Sequence, residues 1–207
     1  MQFGPGHDDG RLAREACPRA LRPSRLALKW DGFRAVAETE SRGSLRLYSR
    51  LHNDFTKRFP PIAHALAELK TKAILDGEIC ALDETGFPRF EGLVNRGRQQ
   101  GTLVSYIFDL LEIGGQDLRG EPLLKSKKLL AKLLKNRNPP LICVDHLERE
   151  GLAMFAGALA LGLEGIVAKD SRSLYVEGPA VTWHWQKIKN KDFKRKEPVS
   201  SGRTSGR

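Results

Sequence analysis

Lys29 is the residue of this 207-residue sequence whose setting most clearly suggests chemistry. It opens the segment KWDGFR, residues 29–34, which lies between two apolar-alternating runs. An Asp-Gly pair between such runs favours a tight β-hairpin, because glycine accepts the positive φ that the turn requires. The sequence therefore predicts a hairpin with Lys29 held on rigid backbone, where a deprotonated amine can act as a nucleophile. The alternative is a surface hairpin with a solvated lysine at its tip.

Further segments with chemically capable residues follow Lys29 along the chain. A second Asp-Gly pair precedes a glutamate, an aromatic residue stands near the end of an apolar run, and an acidic residue is followed by lysines. These segments are Ser49 and Arg50; Asp76, Gly77 and Glu78; YIFD at 106–109; LEGIVAK at 163–169; and WQKIK at 185–189.

In this order the segments resemble the nucleotidyltransferase motifs of ATP-dependent DNA ligases, most closely the ligase domain of bacterial non-homologous end-joining ligases. The similarity extends over residues 26–190. It implies an α+β fold of antiparallel sheets flanked by helices, with the nucleotide in the groove between the sheets. It also implies that Lys29 attacks the α-phosphate of ATP and forms a lysine–AMP intermediate. The AMP then passes to the 5′-phosphate of a DNA nick, and the strand is sealed in repair or recombination.

The resemblance also implies roles for the other residues that match the motifs. Arg34 and Arg50 are expected to contact phosphate or nucleotide, for which the planar guanidinium is suited. Glu78 is expected to hold the ribose, since a carboxylate accepts hydrogen bonds from hydroxyl groups. Phe108 is expected to stack on adenine. One departure concerns Ala27, which stands where the family usually carries a glutamate.

The acidic and basic residues near the end of the similarity complete the predicted site. Glu164 is expected to hold Mg²⁺ or Mn²⁺, because such ions are bound by one or two carboxylates together with substrate oxygens. Alternate residues of a strand share a face, so Lys187 and Lys189 should point the same way as Trp185. The resemblance implies that these two lysines meet the phosphates of ATP. On a regular strand Lys169 would face away from Glu164.

Periodicity and breaker residues predict the elements that position these groups. Helices are predicted from Pro60 to about residue 69, over 90–100, over 122–134 with a basic outer face, and over 151–161. Strands are predicted over 102–113, 141–144 and 165–169, together with a second hairpin around Asp76 and Gly77.

Bulk properties point to a polyanionic partner in a reducing compartment. The net charge is +10 and the pI about 9.7, which favours binding to phosphate backbones through counterion release. The three cysteines lack the spacing of a disulfide framework or a zinc site. No apolar run is long enough to span a bilayer, so the sequence predicts a cytoplasmic protein. The expected partner is nicked or broken double-stranded DNA.

The predicted organisation is a loosely ordered segment 1–24, a nucleotidyltransferase domain at 25–190, a basic flexible tail at 191–207, and no OB-fold domain. Family ligases follow this domain with an OB-fold that clamps DNA. Three readings stay open: a domain of a larger protein, a catalytic domain aided by a separate OB-fold or end-joining partner, or a minimal ligase. The rival functions are an RNA ligase or capping-type nucleotidyltransferase, and a catalytically weak DNA-binding subunit.

Overall fold

The computed structural model describes residues 24–94, 101–137, 139–147, 150–175 and 185–194. Most of both predicted terminal segments, 1–23 and 195–207, therefore lies outside the described residues. Within the described ranges, no helix has the length and apolar character needed to cross a membrane.

Strands dominate the described chain, and short helices lie between them. The strands are β1 Ser24–Leu28, β2 Phe33–Thr39, β3 Leu45–Ser49, β4 Ala73–Leu82, β5 Thr102–Ile113, β6 Gln116–Asp117, β7 Leu141–Cys143, β8 Gly165–Asp170 and β9 Trp185–Lys189. The helices are α1 Pro60–Ala67, α2 Glu91–Val94, α3 Leu123–Leu133 and α4 Gly151–Ala160.

Two sheets form in the described part of the chain. The larger has the order β3-β2-β4-β5-β6, with the short β7 pairing parallel to β5. The smaller has the order β1-β8-β9. Every other strand pair is antiparallel. The predicted α+β class with antiparallel sheets and flanking helices is confirmed.

Each sheet has its own apolar core. On the larger sheet, side chains such as Leu75 and Ile107 pack with Ile62 of α1 and Leu130 of α3, and all four are at most 2% exposed. On the smaller sheet, strand residues that include Ile166 pack against α4. A third cluster, which includes Cys80, Val104, Tyr106 and Val144, contacts Ala27 of the smaller sheet.

The hairpin predicted around Asp31 and Gly32 is wrong. β1 pairs with β8, with Leu28 opposite Ile166, whereas β2 pairs with β3 and β4. The segment after β1 therefore crosses from the smaller sheet to the larger one. Gly32 is needed there for close approach, because a Cβ at this position would overlap the Ile79 carbonyl oxygen.

The second predicted hairpin, around Asp76 and Gly77, is also wrong. Both residues lie inside the continuous strand β4. The pairing of β4 with β5 shifts register between them. A Cβ on Gly77 would lie 2.8 Å from the Tyr106 carbonyl oxygen. The glycine thus allows a bulged strand to pass close to its neighbour instead of turning the chain.

The remaining element predictions are largely confirmed. The strand at 102–113 has the predicted bounds, and the helices at 60–67, 123–133 and 151–160 lie within the predicted segments. Of the helix predicted over 90–100, Glu91–Val94 is helical and residues 95–100 lie outside the described part. The basic outer face of α3 holds for Lys125, Lys128 and Lys132, but Lys127 is buried and donates to the Val144 carbonyl at 3.2 Å.

Candidate active site

A cavity of about 150 Å³ lies where the two sheets face each other. The smaller sheet and the segment that follows β1 line one side, through residues such as Lys29, Lys169 and Lys187. The larger sheet lines the other side through Arg34 of β2, Glu78 of β4 and Phe108 of β5. Five predicted site residues from distant parts of the sequence therefore surround one cavity: Lys29, Arg34, Glu78, Phe108 and Lys187.

Lys29 is fixed through its backbone and its side chain. Its N–H donates to the Gly165 carbonyl at 2.9 Å, which ties the residue to the start of β8. Its Nζ forms a hydrogen-bonded ion pair with Glu164, and Lys189 Nζ lies 3.3 Å from the other oxygen of that carboxylate. Burial favours a higher pKa for Glu164, but these two lysines outweigh it and the pKa is lowered. Glu164 is therefore an ionised carboxylate between two cations.

Arg34 is held by residues that the sequence prediction did not include. Its Nε donates to Asp76 at 3.0 Å, and its Nη2 donates to the Tyr175 hydroxyl at 3.2 Å. The Tyr175 hydroxyl in turn donates to Asp76 at 3.1 Å. Asp76 is fully buried, so this network fixes the guanidinium at the edge of the cavity.

Glu78 extends from β4 into the cavity. Burial raises its pKa to about 7, although the positive charges of Lys29 and Arg34 oppose this effect. Burial therefore favours the protonated carboxyl group at Glu78 more than at an exposed glutamate. In that state it can both donate and accept a hydrogen bond.

Lys169 is a cavity residue that was not assigned a role from the sequence. Its Nζ lies 3.7 Å from the ring centroid of Trp185 and 4.9 Å from that of Phe108. It also contacts Asp109 at 3.4 Å, and burial lowers its pKa. Alternation holds within β8, because Val167 and Lys169 line the cavity while Ile166 and Ala168 lie in the core of the smaller sheet. Glu164 precedes β8, and Gly165 has a φ of 138°, so a regular strand does not extend back to Glu164.

The two late lysines follow the predicted alternation. Lys187 and Lys189 are exposed on β9, while Ile188 between them is buried in the core of the smaller sheet. Lys187 lines the cavity and Lys189 meets Glu164. Burial lowers the pKa of Lys187, and the charges of Lys29, Arg34 and Arg50 lower it further. These cations therefore share one region of positive potential.

Arg50 lies beside the cavity and not in its wall. It follows β3 and lines an adjoining groove that Arg34 also lines. Its charge is near enough to act on Lys187. The structure thus brings Arg50 to the edge of the predicted site.

Apolar residues also line this cavity. They include Ala27, Val144, Val167 and Trp30, and the Trp30 ring is stacked on Tyr106 at 3.9 Å between centroids. The Phe108 ring lines the same cavity and has Lys169 Nζ 4.9 Å from its centroid. Neither Trp30 nor Val167 was singled out from the sequence, although their apolar neighbours were assigned to strands.

The carboxylates of the site do not form a preformed metal cage. Within the ranges that the structure describes, no group of three or more His, Cys, Asp or Glu side chains could hold an ion together. Mg²⁺ is instead often held by one or two carboxylates, keeps several waters and takes substrate oxygens as ligands. Glu164 is an ionised carboxylate that could serve such an ion.

Comparison with known proteins relates this arrangement to a family. A family model for the ATP dependent DNA ligase domain matches residues 14–189. The multifunctional non-homologous end joining DNA repair protein LigD of Mycobacterium tuberculosis is 34% identical over 201 residues, which cover 94% of this chain and 25% of that protein. The chain therefore spans about a quarter of the length of this relative.

Solved structures agree with the sequence matches. The crystal structure of the ligase domain of M. tuberculosis LigD matches with a TM-score of 0.70 and 34% identity, covering 80% of this chain and 54% of that one. A mycobacterial DNA ligase D complexed with ATP and MES matches with a TM-score of 0.69 and 32% identity, with the same coverage. The family match over most of the sequence and the shared fold show that this chain belongs to the ATP-dependent DNA ligase domain family.

Proposed function

We propose that this chain is the adenylation domain of a DNA ligase that uses ATP to seal nicks in DNA during repair or recombination. The observation that carries the proposal is the convergence of Arg34, Glu78, Phe108 and Lys187 on one cavity that contains Lys29. These residues come from four strands of two sheets, so their convergence is a property of the fold and not of one motif.

The first step is attack of Lys29 Nζ on the α-phosphorus of ATP. A nitrogen–phosphorus bond forms, the bond to pyrophosphate breaks, and the amine loses a proton. Catalysis of such a step consists mainly of positioning the reactants and neutralising charge. Lys187 and Lys189 supply positive charge on the same side as Lys29, and Arg34 supplies it from the opposite sheet.

The next two steps transfer AMP and then release it. An oxygen of the 5′-phosphate at the nick attacks the AMP phosphorus, and the nitrogen–phosphorus bond breaks to regenerate Lys29. The 3′-hydroxyl then attacks the 5′-phosphorus, and AMP leaves as the strand is joined. Both are attacks at phosphorus, so the same cations serve them.

Nucleotide recognition is assigned to the opposite wall of the cavity. Phe108 offers a ring for stacking adenine, with Val167 among the apolar residues that line the same cavity. Glu78 extends into the cavity from β4 and is suited to the ribose hydroxyls. Arg50, in the adjoining groove, is suited to phosphate.

Glu164 would hold Mg²⁺ or Mn²⁺ with help from substrate oxygens. When bound, such an ion neutralises charge on the phosphates. In the described structure Glu164 instead neutralises Lys29 and Lys189. Its carboxylate thereby keeps both amines at the position that the phosphates must reach.

The proposed partner is nicked or broken double-stranded DNA. The net charge of +10 and the names of the relatives support DNA, and an RNA ligase is the enzymatic rival. A separate OB-fold or end-joining protein remains part of the proposal, as does a cytoplasmic location. Competition between nicked DNA and nicked RNA for a limiting amount of the adenylated chain would decide whether DNA or RNA is the preferred substrate.

The direct test is incubation with α-labelled ATP and Mg²⁺ followed by denaturing electrophoresis. We expect label on the wild-type chain and none on Lys29→Ala. Lys125→Ala is the matched control, because Lys125 is an exposed lysine of α3 that pairs with Glu121 at 2.7 Å. Equal label on wild type and Lys29→Ala would remove Lys29 from its role. Absence of label from both would favour the DNA-binding subunit or a missing partner domain.

A further inference from the structure

We infer that the stacked rings of Tyr48 and His52 form a platform for unpaired bases at a polynucleotide end, an inference that rests on the proposed function. The ring centroids of these residues lie 5.6 Å apart at an interplanar angle of 16°. We name this pair the Tyr48–His52 platform. It lies outside the ATP cavity and takes no part in the adenylation chemistry described above.

The strand pattern places the platform on the outward face of the larger sheet. Along β3 the residues Leu47 and Ser49 are buried, while Arg46 and Tyr48 alternate toward solvent. Tyr48 stands opposite Val36 of β2 in the sheet register. The helix α1 packs on the other face of the sheet, so the platform face is free of the main core.

The turn after β3 holds the imidazole in place. His52 has a φ of 58°, a conformation that is uncommon for residues other than glycine, and its N–H donates to the Ser49 carbonyl at 2.9 Å. The Ser49 hydroxyl accepts from the N–H groups of Leu51 at 3.2 Å and Asn53 at 3.1 Å. The turn is therefore firmly bonded, which fixes the backbone of the exposed His52, and the imidazole lies within 16° of parallel to the phenol of Tyr48. Leu51, at 80% exposure, extends from the same turn into solvent.

The phenol is oriented as well. The Tyr48 hydroxyl donates to Glu38 at 2.7 Å, and Arg46 pairs with the other oxygen of that carboxylate at 2.7 Å. Glu38 is thus paired with a cation. Two further carboxylates line the adjoining grooves, Asp54 in one and Glu112 in the other, each together with arginines or a lysine.

A groove on each side of the platform leaves space for a nucleic-acid strand. One, of about 480 Å³, contains Lys57 and Arg46. The other, of about 430 Å³, contains Arg34 and Arg50. Tyr48 and His52 line both grooves. Arg34 lines both the second groove and the ATP cavity, so the two sites share this side chain.

Rings flanked by cations are the usual arrangement for binding single strands without sequence preference. Bases stack on the rings, and the cations track the phosphates. Paired bases are already stacked within the duplex, so the platform is suited to an overhang or a gap more than to a fully paired nick. The exposed face of the imidazole is the surface that such a base would meet.

The test uses the chain as it stands and 5′-phosphorylated duplexes that carry 2-aminopurine in a short overhang, at one fixed salt concentration. His52→Gly removes the ring and suits the positive φ, whereas His52→Phe restores a ring. His64→Ala is the matched control, because His64 is an exposed histidine on α1. We expect His52→Gly to weaken overhang binding about tenfold and to abolish the quenching of 2-aminopurine, because base–aromatic stacking is worth about 1–3 kcal/mol.

Two comparisons make the result specific to stacking. His52→Phe should restore the affinity and the quenching, and a fully paired nick should distinguish the variants much less than the overhang does. Unchanged overhang binding by His52→Gly, or an equal loss on both duplexes, would overturn the inference, as would absence of overhang binding by the wild type. Self-adenylation, measured in parallel without polynucleotide, tests the proposed function separately: its absence from the wild type overturns that function and not the platform.

Discussion

The two sheets that line the cavity contribute side chains of different character. The smaller sheet and the residues next to it supply the lysines, which include Lys29, Lys169 and Lys187. The larger sheet supplies Arg34, Glu78 and Phe108, and next to them lie the acids Asp76 and Asp109, which are at most 2% exposed. One wall is therefore cationic, while the other, the scaffold wall, combines one arginine with acids and an aromatic ring.

The contacts of these side chains show how the cationic wall is held in position against the scaffold wall. Most lysine contacts stay within the smaller sheet, as in the pairing of Lys29 and Lys189 with Glu164. The contact from Lys169 to Asp109 instead joins the two sheets. Arg34 of the larger sheet likewise contacts Tyr175, which lies in the segment that follows β8. Such buried bridges fix geometry more than they add net stability. Substitutions that break these contacts, or that change the charge of the scaffold wall, should therefore alter stability or the adenylation rate.

Loss of the bridge at Asp109 should have the largest effect on stability. Asp109 accepts from the Ser126 hydroxyl at 3.0 Å and pairs with the buried Lys169. Asp109→Ala leaves that lysine buried without its counter-charge, which should cost about 3–5 kcal/mol in the free energy of unfolding. Urea denaturation of the variant and the wild type measures this change in the free energy of unfolding. Asp117→Ala is the control, because Asp117 is exposed, and a similar midpoint for both variants would contradict a role for the bridge.

Glu78 should make the scaffold wall sensitive to pH. Its pKa is raised from 4.5 to about 7 by burial, so the folded chain retains a proton that the unfolded chain loses at lower pH. Stability should therefore fall as the pH rises from about 4.5 to 7, by roughly 3 kcal/mol from this group. Glu78→Gln should remove that fall. Urea denaturation of the wild type and Glu78→Gln at pH 5 and pH 8 tests this prediction. An equal change in the free energy of unfolding of both proteins between the two pH values would refute it.

Tyr175→Phe should have the smallest effect on stability and should act mainly on Arg34. The variant loses the hydroxyl that Arg34 and Asp76 share, at a cost of about 1 kcal/mol. If the hydroxyl positions Arg34, the adenylation rate should fall about three- to tenfold, since one hydrogen bond is worth about that much. Rates across ATP concentrations separate kcat from KM. An unchanged rate with lowered stability would leave Tyr175 with a structural role alone.

The sequence predicted elements well where local pattern decides them. The strand at 102–113 has a long β-branched and apolar run, and α1 and α3 have one apolar face each. Turns were predicted poorly at the two Asp-Gly pairs. There the glycine meets a strand that is distant in sequence, through Ile79 for Gly32 and Tyr106 for Gly77, and a local window carries no information about that contact.

The site was predictable where a residue belongs to a recognisable motif. The structure places Arg34, Glu78, Phe108 and Lys187 around the cavity of Lys29, in keeping with the resemblance, while their individual roles stay proposals. Tyr175 gave no such signal, because it acts through Arg34 in a tertiary contact. Asp109 ends the YIFD segment, but its contact with Lys169 depends on the tertiary fold. Burial of Lys127 was likewise hidden, since its position on α3 resembles that of its exposed neighbours.

One particular amine, Lys29 Nζ, is expected to become covalently adenylated. Mass spectrometry of the chain after incubation with ATP and Mg²⁺, followed by peptide mapping, locates the adduct directly. We predict one AMP per chain, attached to the peptide that contains Lys29 and absent when ATP is omitted. AMP attached to another lysine, such as Lys169 or Lys187, would contradict the account.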